Sequence, residues 1–363
     1  MVDHQVTSLQ DAGGISRYHY ELASHMRGRP GVFVDLLLGG NRSLVPFPAI
    51  QGDGVHLRTW RSRLGAGYPR YAVNAAWTTV AAPFCGRYDV YHVTYQREEP
   101  AIRHRALVVT HHDAIPELFP HHFRNAAAIR ERKRRLYARA DRILCVSESG
   151  RRDLIAIHNV DPSRTAVVHH GVTPLPVSGS STPVESPYLL YVGSRTAYKN
   201  FRALLQAFAQ SPPAAACRLL VAGGGPWTRA ETAAIAAAGL QGRIRLLPRV
   251  DDSELGQLYR QAALFVYPSL YEGFGLPPLE AMSLACPVLA SHVSAIPEVC
   301  GDAAHYFDPA EPEALEQALS KLLDDPALRT SRIAAGLRQA QRYTWQRAAE
   351  ATLSVYGDAL AAS

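Results

Sequence analysis

Lysine is almost missing from this chain: Lys133, Lys199 and Lys321 stand alone among 38 basic residues in 363 positions. Cysteine is also sparse. Cys85, Cys145, Cys217, Cys286 and Cys300 are scattered, odd in number and without metal-ligand spacing. That excludes a disulfide framework or zinc motif and points to a reduced, cytoplasmic protein. No run approaches the ~20 apolar residues of a membrane span, and no signal-peptide pattern precedes the first polar residues. No Gly-x-Gly-x-x-Gly opens a helix with an acidic residue ~20 positions later, which argues against a pyridine-nucleotide oxidoreductase. No DNA- or RNA-binding motif is present either, so nucleic acid is not an expected partner.

What is present is the composition of a soluble globular protein, 47% apolar and 19% charged, at a length that suits two domains. Apolar runs alternate with helix-length segments: 32–38, 106–110, 142–146 and 165–169 in the first half. The second half has 188–193, 218–222, 244–247, 262–268 and 287–290. Strands apolar on both sides and separated by helices predict parallel sheets covered on both faces. The Pro-, Ser- and Gly-rich stretch 173–187 reads as the linker. The expected organisation is α/β: an N-terminal Rossmann-like domain over 1–172, the linker, and a C-terminal Rossmann-like domain over 188–345. A helix over 346–363 is expected to return to the N-terminal domain. Polar loops follow the strands, as in His111-His112-Asp113, Gly193-Ser194-Arg195 and Gly223 to Pro226. In open parallel sheets, ligands bind outside the carboxyl ends of the strands.

One segment carries the most chemistry: LYEGFGLPPLEAMSLACPVLAS, residues 270–291. A buried strand leads into a loop with Gly273 and Gly275, where the backbone approaches a ligand closely. Pro277-Pro278 then opens a short helix whose N-terminus favours an anion. Glu272 lies in the loop and Glu280 on the first helical turn, with seven residues between them, each suited to accepting hydrogen bonds from hydroxyls. Phosphate beside hydroxyls describes a nucleotide sugar. Taken singly, either glutamate also fits a plainer part, Glu280 complementing the helix dipole and Glu272 solvated in the loop.

Charge is unevenly spread. Residues 1–172 hold 23 Lys and Arg against 15 Asp and Glu, and the remainder holds 15 against 17. The excess gathers at Arg58 to Arg63 with Arg70, and at Arg130 to Arg135 with Arg139. A solvated helix face and a contact with an anionic membrane or lipid-linked substrate both fit these runs.

The chain resembles the GT-B retaining glycosyltransferases of family 4. The motifs are SLQDAGGISRYHYELA (8–23), THHDAIPELFP (110–120), CVSESGRRDL (145–154), YVGSRTAYKNFRALLQAFA (191–209), YPSLYEGFGLPPLEAM (267–282) and IPEVCGDAAHYFDP (296–309). The GGISRY opening is most similar to bacterial polysaccharide mannosyltransferases. The resemblance implies two Rossmann-like domains facing across a cleft. It implies that Glu272, with Gly273, Phe274, Gly275 and Leu276, holds the donor sugar, and that Glu280 binds the ribose. Lys199 meets the pyrophosphate, and Arg249-Val250 flank the base. His112 contacts the sugar near the reacting centre, and Gly13-Gly14 approach the phosphates or acceptor. Where many relatives carry an arginine after the glycine of the Gly193 loop as a second pyrophosphate ligand, this chain has Ser194, with Arg195 one place later, and both are placed with the donor-binding residues. Relatives usually have several more apolar residues ahead of the position of Met1, so the first strand reads as clipped.

The chain has no Asp-x-Asp, and Asp251-Asp252 are adjacent, which argues against a metal-held diphosphate. Neither a metal nor a cofactor is expected. The resemblance implies retention, with front-side attack as the diphosphate leaves. The expected activity is transfer from a nucleotide sugar, GDP-mannose first, to a lipid-linked oligosaccharide or polysaccharide at the inner face of a bacterial membrane. A UDP-sugar transferase acting on a soluble acceptor, a nucleotide-sugar epimerase and a silent GT-B scaffold are the alternatives.

Overall fold

The computed structural model describes residues 14–41, 47–61, 68–81, 84, 86–95, 102–177, 187–311 and 313–363. It divides into two units, Met1–Gly171 with Thr344–Ser363, and Val172–Tyr343. Most of the expected linker, 178–186, and the region of the clipped first strand lie outside the described residues, as do Gly13 and Cys85.

In the first unit, β1 (Val34–Asn41) and β2 (Val55–Arg61) form a parallel pair. A second, four-stranded parallel sheet runs β3 (Arg87–Val93), β4 (Arg103–His111), β5 (Arg142–Cys145), β6 (Thr165–Val167) in that order. From Ala106 to His111 every residue of β4 is buried, as a strand covered on both faces requires. Its helices are α1 (Gly14–Met26), α2 (Tyr68–Ala81), α3 (Ile115–Leu118), α4 (Ala126–Arg139) and α5 (Glu148–His158). Ser147 caps α5 by accepting the Gly150 N–H at 2.9 Å, and Asn159 ends it in the left-handed region.

The apolar-run reading missed β2 and β3 for a physical reason. Both carry basic and polar residues through much of their length, and only the last three residues of β3 are buried. Helix α2 inverts the usual pattern. Asn74 and Thr78 are buried while Val73 and Val80 face solvent. The Asn74 amide grips β1, accepting from Gly40 N at 2.6 Å and donating to Gly40 O at 3.1 Å. The basic run on α4 is split as well. Arg134 and Arg135 are exposed and both pair with Glu131. Lys133, by contrast, is only 1% exposed and donates to Asp113 O at 2.8 Å and Glu117 Oε2 at 2.9 Å.

The second unit holds a six-stranded parallel sheet of β7 (Tyr188–Val192), β8 (Arg218–Ala222), β9 (Ile244–Leu247), β10 (Leu264–Tyr267), β11 (Val288–Ser291) and β12 (His305–Phe307). The helices are α6 (Phe201–Gln210), α7 (Arg229–Ala237), α8 (Asp252–Gln261), α9 (Leu276–Ser283), α10 (Ile296–Cys300), α11 (Ala314–Asp324) and α12 (Pro326–Ala340). The spatial order is β12-β11-β10-β7-β8-β9. The chain therefore builds outward from β7 in one direction and from β10 in the other. The order reverses between those two strands, which is the switch point where such sheets bind ligands.

Helix α13 (Trp345–Ala362), capped by Thr344, packs against α1, β4 and β5 of the first unit. The Trp345 ring is 3% exposed there, lying 5.9 Å from the His170 ring. Gly171 sits so close to this return that a Cβ would lie 2.1 Å from Trp345 N. Backbone cannot give way as a flexible side chain can. Gly171→Ala is thus expected to cost about 1–3 kcal/mol or more of first-unit stability, read as a lower urea midpoint; an unchanged midpoint would refute this packing.

Candidate active site

Three loops following strands of the second unit meet at the switch point. The loop after β7 runs through Gly193, Ser194 and Arg195 to a single turn, Ala197–Lys199. The loop after β10 carries Glu272 and the glycines, and is tied to the first by Leu270 N–H donating to Tyr198 O at 2.7 Å. The loop after β11 supplies Ser294, whose hydroxyl accepts the Glu272 N–H at 2.9 Å. Their convergence puts the Lys199 ammonium 2.6 Å from Glu272 Oε1. Sequence spacing alone could not pair them, since they lie 73 positions apart.

This pair is well shielded, with the Lys199 side chain 18% and the Glu272 side chain 9% exposed. The Lys199 ammonium also lies 5.5 Å from the Tyr198 ring and 5.6 Å from the Tyr267 ring. Burial, and then the Glu272 carboxylate, push the Tyr267 phenol well above its usual pKa, so it stays a neutral donor beside that carboxylate. Tyr267 and Ser294 were not singled out from sequence. Each looked like an ordinary member of an apolar strand or a polar loop.

The helix after Glu272 departs from expectation. α9 begins at Leu276, with Gly275 as its cap at φ +110°, and Pro277 and Pro278 are its second and third residues. Neither proline has an N–H. An anion here therefore meets the backbone donors of 273–276, not an ordinary open helix end. Glu280 is the fifth helical residue, in the second turn instead of the first. It is half-buried, and Tyr259 Oη lies 3.4 Å from its Oε2. That distance from the cap weakens the helix-dipole reading of Glu280, since the dipole's influence fades within the first turn. Phe274 is buried against the edge of Tyr343, with ring centroids 5.8 Å apart.

Arg195, placed with the donor-binding residues from sequence, is engaged by its own unit's loops. Its Nε donates to Glu231 Oε1 at 2.6 Å, Nη1 to Gly223 O at 2.9 Å, and Nη2 to Gly225 O at 3.1 Å and Pro226 O at 2.9 Å. The guanidinium lies 4.6 Å from the Trp227 ring centre, and the side chain is 3% exposed. The glycine turn after β8 claims this cation. The carbonyl of Ser194 accepts from the Tyr191 hydroxyl, and its own side chain is exposed. Arg249 is exposed and Val250 half-buried just ahead of α8, which Asp251 caps by accepting Glu254 N–H at 2.8 Å.

In the first unit, Gly14 is exposed at the start of α1. His112, at the end of β4, is buried with Nε2 3.0 Å from Thr94 O. A carbonyl only accepts, so Nε2 carries the proton and Nδ1 is left as the ring's acceptor. Burial, against the Thr94 hydrogen bond, lowers the His112 pKa to about 4, so the ring is neutral at physiological pH. His111 turns the other way, into the core, with Nδ1 2.8 Å from Tyr137 Oη. Around His112 lie the buried rings of His19, His92 and His170, a cluster the sequence scatters from position 19 to position 170.

Comparison with known proteins bears on both units. A family model described as Glycosyltransferase Family 4 matches residues 12–174, and one described as Glycosyl transferases group 1 matches 178–339. The O-antigen chain mannosyltransferase B of Escherichia coli is 35% identical over 227 residues, 59% of this chain and 60% of that relative. The chain thus spans three-fifths of the length of this curated relative. Among solved structures, sucrose-phosphate synthase from Thermosynechococcus elongatus aligns over 100% of this chain and 99% of its own, with TM-score 0.75 and 20% identity. WaaG, a glycosyltransferase involved in lipopolysaccharide biosynthesis, aligns over 98% and 99%, with TM-score 0.72 and 18% identity. At those identities the two structures speak for the fold alone.

Proposed function

We propose, on the premise that this chain belongs to the family 4 glycosyltransferases of GT-B fold, that it transfers mannose from GDP-mannose to a growing lipid-linked saccharide of bacterial polysaccharide synthesis. The reading is supported chiefly by the Lys199–Glu272 pair at the switch point, beside the Gly275 turn. The mannose donor and polysaccharide product follow the 35% identical O-antigen enzyme.

The chain's own groups divide the work. The backbone N–H groups of 273–276 and the Lys199 ammonium receive the diphosphate, whose leaving-group charge grows as the anomeric bond breaks. A fixed cation in a shielded site is worth most there. Glu272 accepts hydrogen bonds from the sugar's hydroxyls and faces the positive charge developing at the anomeric carbon. Glu280 accepts from the ribose, Arg249 and Val250 flank the base, and His112 offers Nδ1 to a sugar hydroxyl. The acceptor hydroxyl attacks from the leaving-group side, and its proton passes to the departing phosphate oxygen. Retention follows, and no metal enters the scheme. Among the described residues no helix is long and apolar enough to cross a membrane. The exposed arginines of α4 then serve contact with an anionic surface or a lipid-linked acceptor.

Thermal unfolding in the presence of GDP, UDP or ADP tests the donor. The preferred diphosphate at ~100 times its dissociation constant adds about 2.7 kcal/mol of stability; a response to UDP alone would move the reading to a UDP-sugar, and none to any would end it. The product's anomeric configuration, read by NMR, checks retention. Lys199→Met is expected to weaken diphosphate binding by about 1.5–3 kcal/mol, roughly 10- to 100-fold, by calorimetry.

A further inference from the structure

We propose that Arg195 is a positioning residue, which shapes the donor pocket by holding the Gly223–Gly225 turn and leaves the diphosphate charge to Lys199. The inference rests on the nucleotide-sugar reading and assigns a division of labour between two cations on one loop.

Gly223, Gly224 and Gly225 have φ of +89°, +77° and +73°. Glycine adopts these angles without strain, but three in a row have many other conformers open to them, so fixing this one turn calls for outside contacts. Arg195 supplies them. The guanidinium meets the carbonyls of Gly223, Gly225 and Pro226 and lies over Trp227. There is no slack in the arrangement, for a Cβ on Gly224 would lie 2.4 Å from Arg195 Nη1. Glu231 completes it. Its Oε1 takes Arg195 Nε, while its Oε2 takes the Thr228 N–H at 2.7 Å as half of a capping box on α7. Burial alone would raise the Glu231 pKa, but the hydrogen bonds from Arg195 and Thr228 hold it below its usual value. The ion pair is therefore fully charged at neutral pH.

The turn follows β8, which pairs directly with β7, and Gly193 N donates to Ala222 O at 2.9 Å just before it. It thus forms a wall next to the loop that delivers Lys199. Turning Arg195 toward a phosphate would strip several carbonyls of their shared partner. A planar five-donor fork suits this task, and the single point charge of a lysine does not. That difference supplies the test.

Affinities of the preferred nucleoside diphosphate and of its bare nucleoside would be compared in wild type, Arg195→Lys and Lys199→Met, with the melting temperature of each. Arg195→Lys is expected to weaken both ligands by the same factor, on the order of tenfold, because a misplaced wall affects every ligand that leans on it. Donor KM should rise while kcat stays within a few-fold. Lys199→Met should weaken the diphosphate alone. If Arg195→Lys weakens only the diphosphate, or neither ligand, the assignment is overturned. Glu231→Gln, which touches no ligand, should reproduce the Arg195→Lys pattern in milder form and carries the test if that variant does not fold. Absence of any nucleotide binding by wild type would instead refute the underlying nucleotide-sugar reading.

Discussion

Glu272→Gln is expected to lower sugar transfer by at least ~10³-fold while leaving the fold intact. The amide has nearly the carboxylate's shape, so the Ser294 hydroxyl still receives the backbone N–H of residue 272 and the loop keeps its course. What disappears is the negative charge facing the reacting carbon. The same change removes the charge that holds Lys199, whose ammonium is 2.6 Å from the carboxylate. A cation released from that pair is more available to a diphosphate. The loss should therefore fall on kcat, with donor affinity held or improved. A large rise in donor KM at constant kcat would show that Glu272 merely anchors the donor, and near wild-type turnover would remove it from the chemistry.

Acid should unfold the first unit well before the second. His19, His92, His111, His112 and His170 are all buried in the first unit, and burial lowers the pKa of each below its usual value. Neighbouring histidines add to this for all but one (His112, where Lys133 does). His112 titrates at about 4 and His92 at about 3. The unfolded chain binds protons from pH ~6.5 downward that the folded unit refuses. Stability from this source is therefore complete above pH ~6.5 and drains as pH falls toward 4 and 3. At ~1.4 kcal/mol per group per pH unit, five groups give roughly 7 kcal/mol per unit once well below 6.5. Against a total of about 5–15 kcal/mol, the first unit should open near pH 5. Among the described histidines of the second unit, His305 alone shows a lowered pKa, and it is only half-buried. Hydrogen exchange resolved by segment should show β4 and β5 losing protection near pH 5 while β7, β8 and β10 keep theirs. Protection of β4 at pH 4, or simultaneous opening of both units, would contradict the cluster's role.

Both expectations depend on groups that the sequence shows and the fold assembles. β7, β8, β10 and β11 of the second unit were legible because they are buried along nearly their whole length and so read as unbroken apolar runs. β9 was legible although half-buried, and the short, half-buried β12 (His305–Phe307) was not read. β8 and β9 fall where the runs fall, while β10 is trimmed to Leu264–Tyr267 because Ala262 closes α8. β2 and β3 were not legible, since an edge or half-exposed strand carries polar residues that break the run. The inward Asn74 and Thr78 of α2 hide a helix face in the same way, because a polar side chain satisfied by backbone looks no different in sequence from a solvated one.

The site divides similarly. Residue types and local spacing along one stretch of chain already marked Glu272, the two glycines and Glu280 as an anion-and-hydroxyl site, because loop and helix-start chemistry is local. Lys199, 73 positions away from Glu272, stood out only by its rarity and the family resemblance. Only the tertiary structure decided which of those groups touch. It paired Lys199 with Glu272, moved Glu280 to the second turn, drew Arg195 onto the glycine turn and gathered the rings of His19, His112 and His170 around the buried Tyr18. Such contacts depend on strand order in a parallel sheet and on the return of α13 to the first unit. Strand order brings together segments that sequence leaves tens of residues apart, and nothing in a local pattern encodes it.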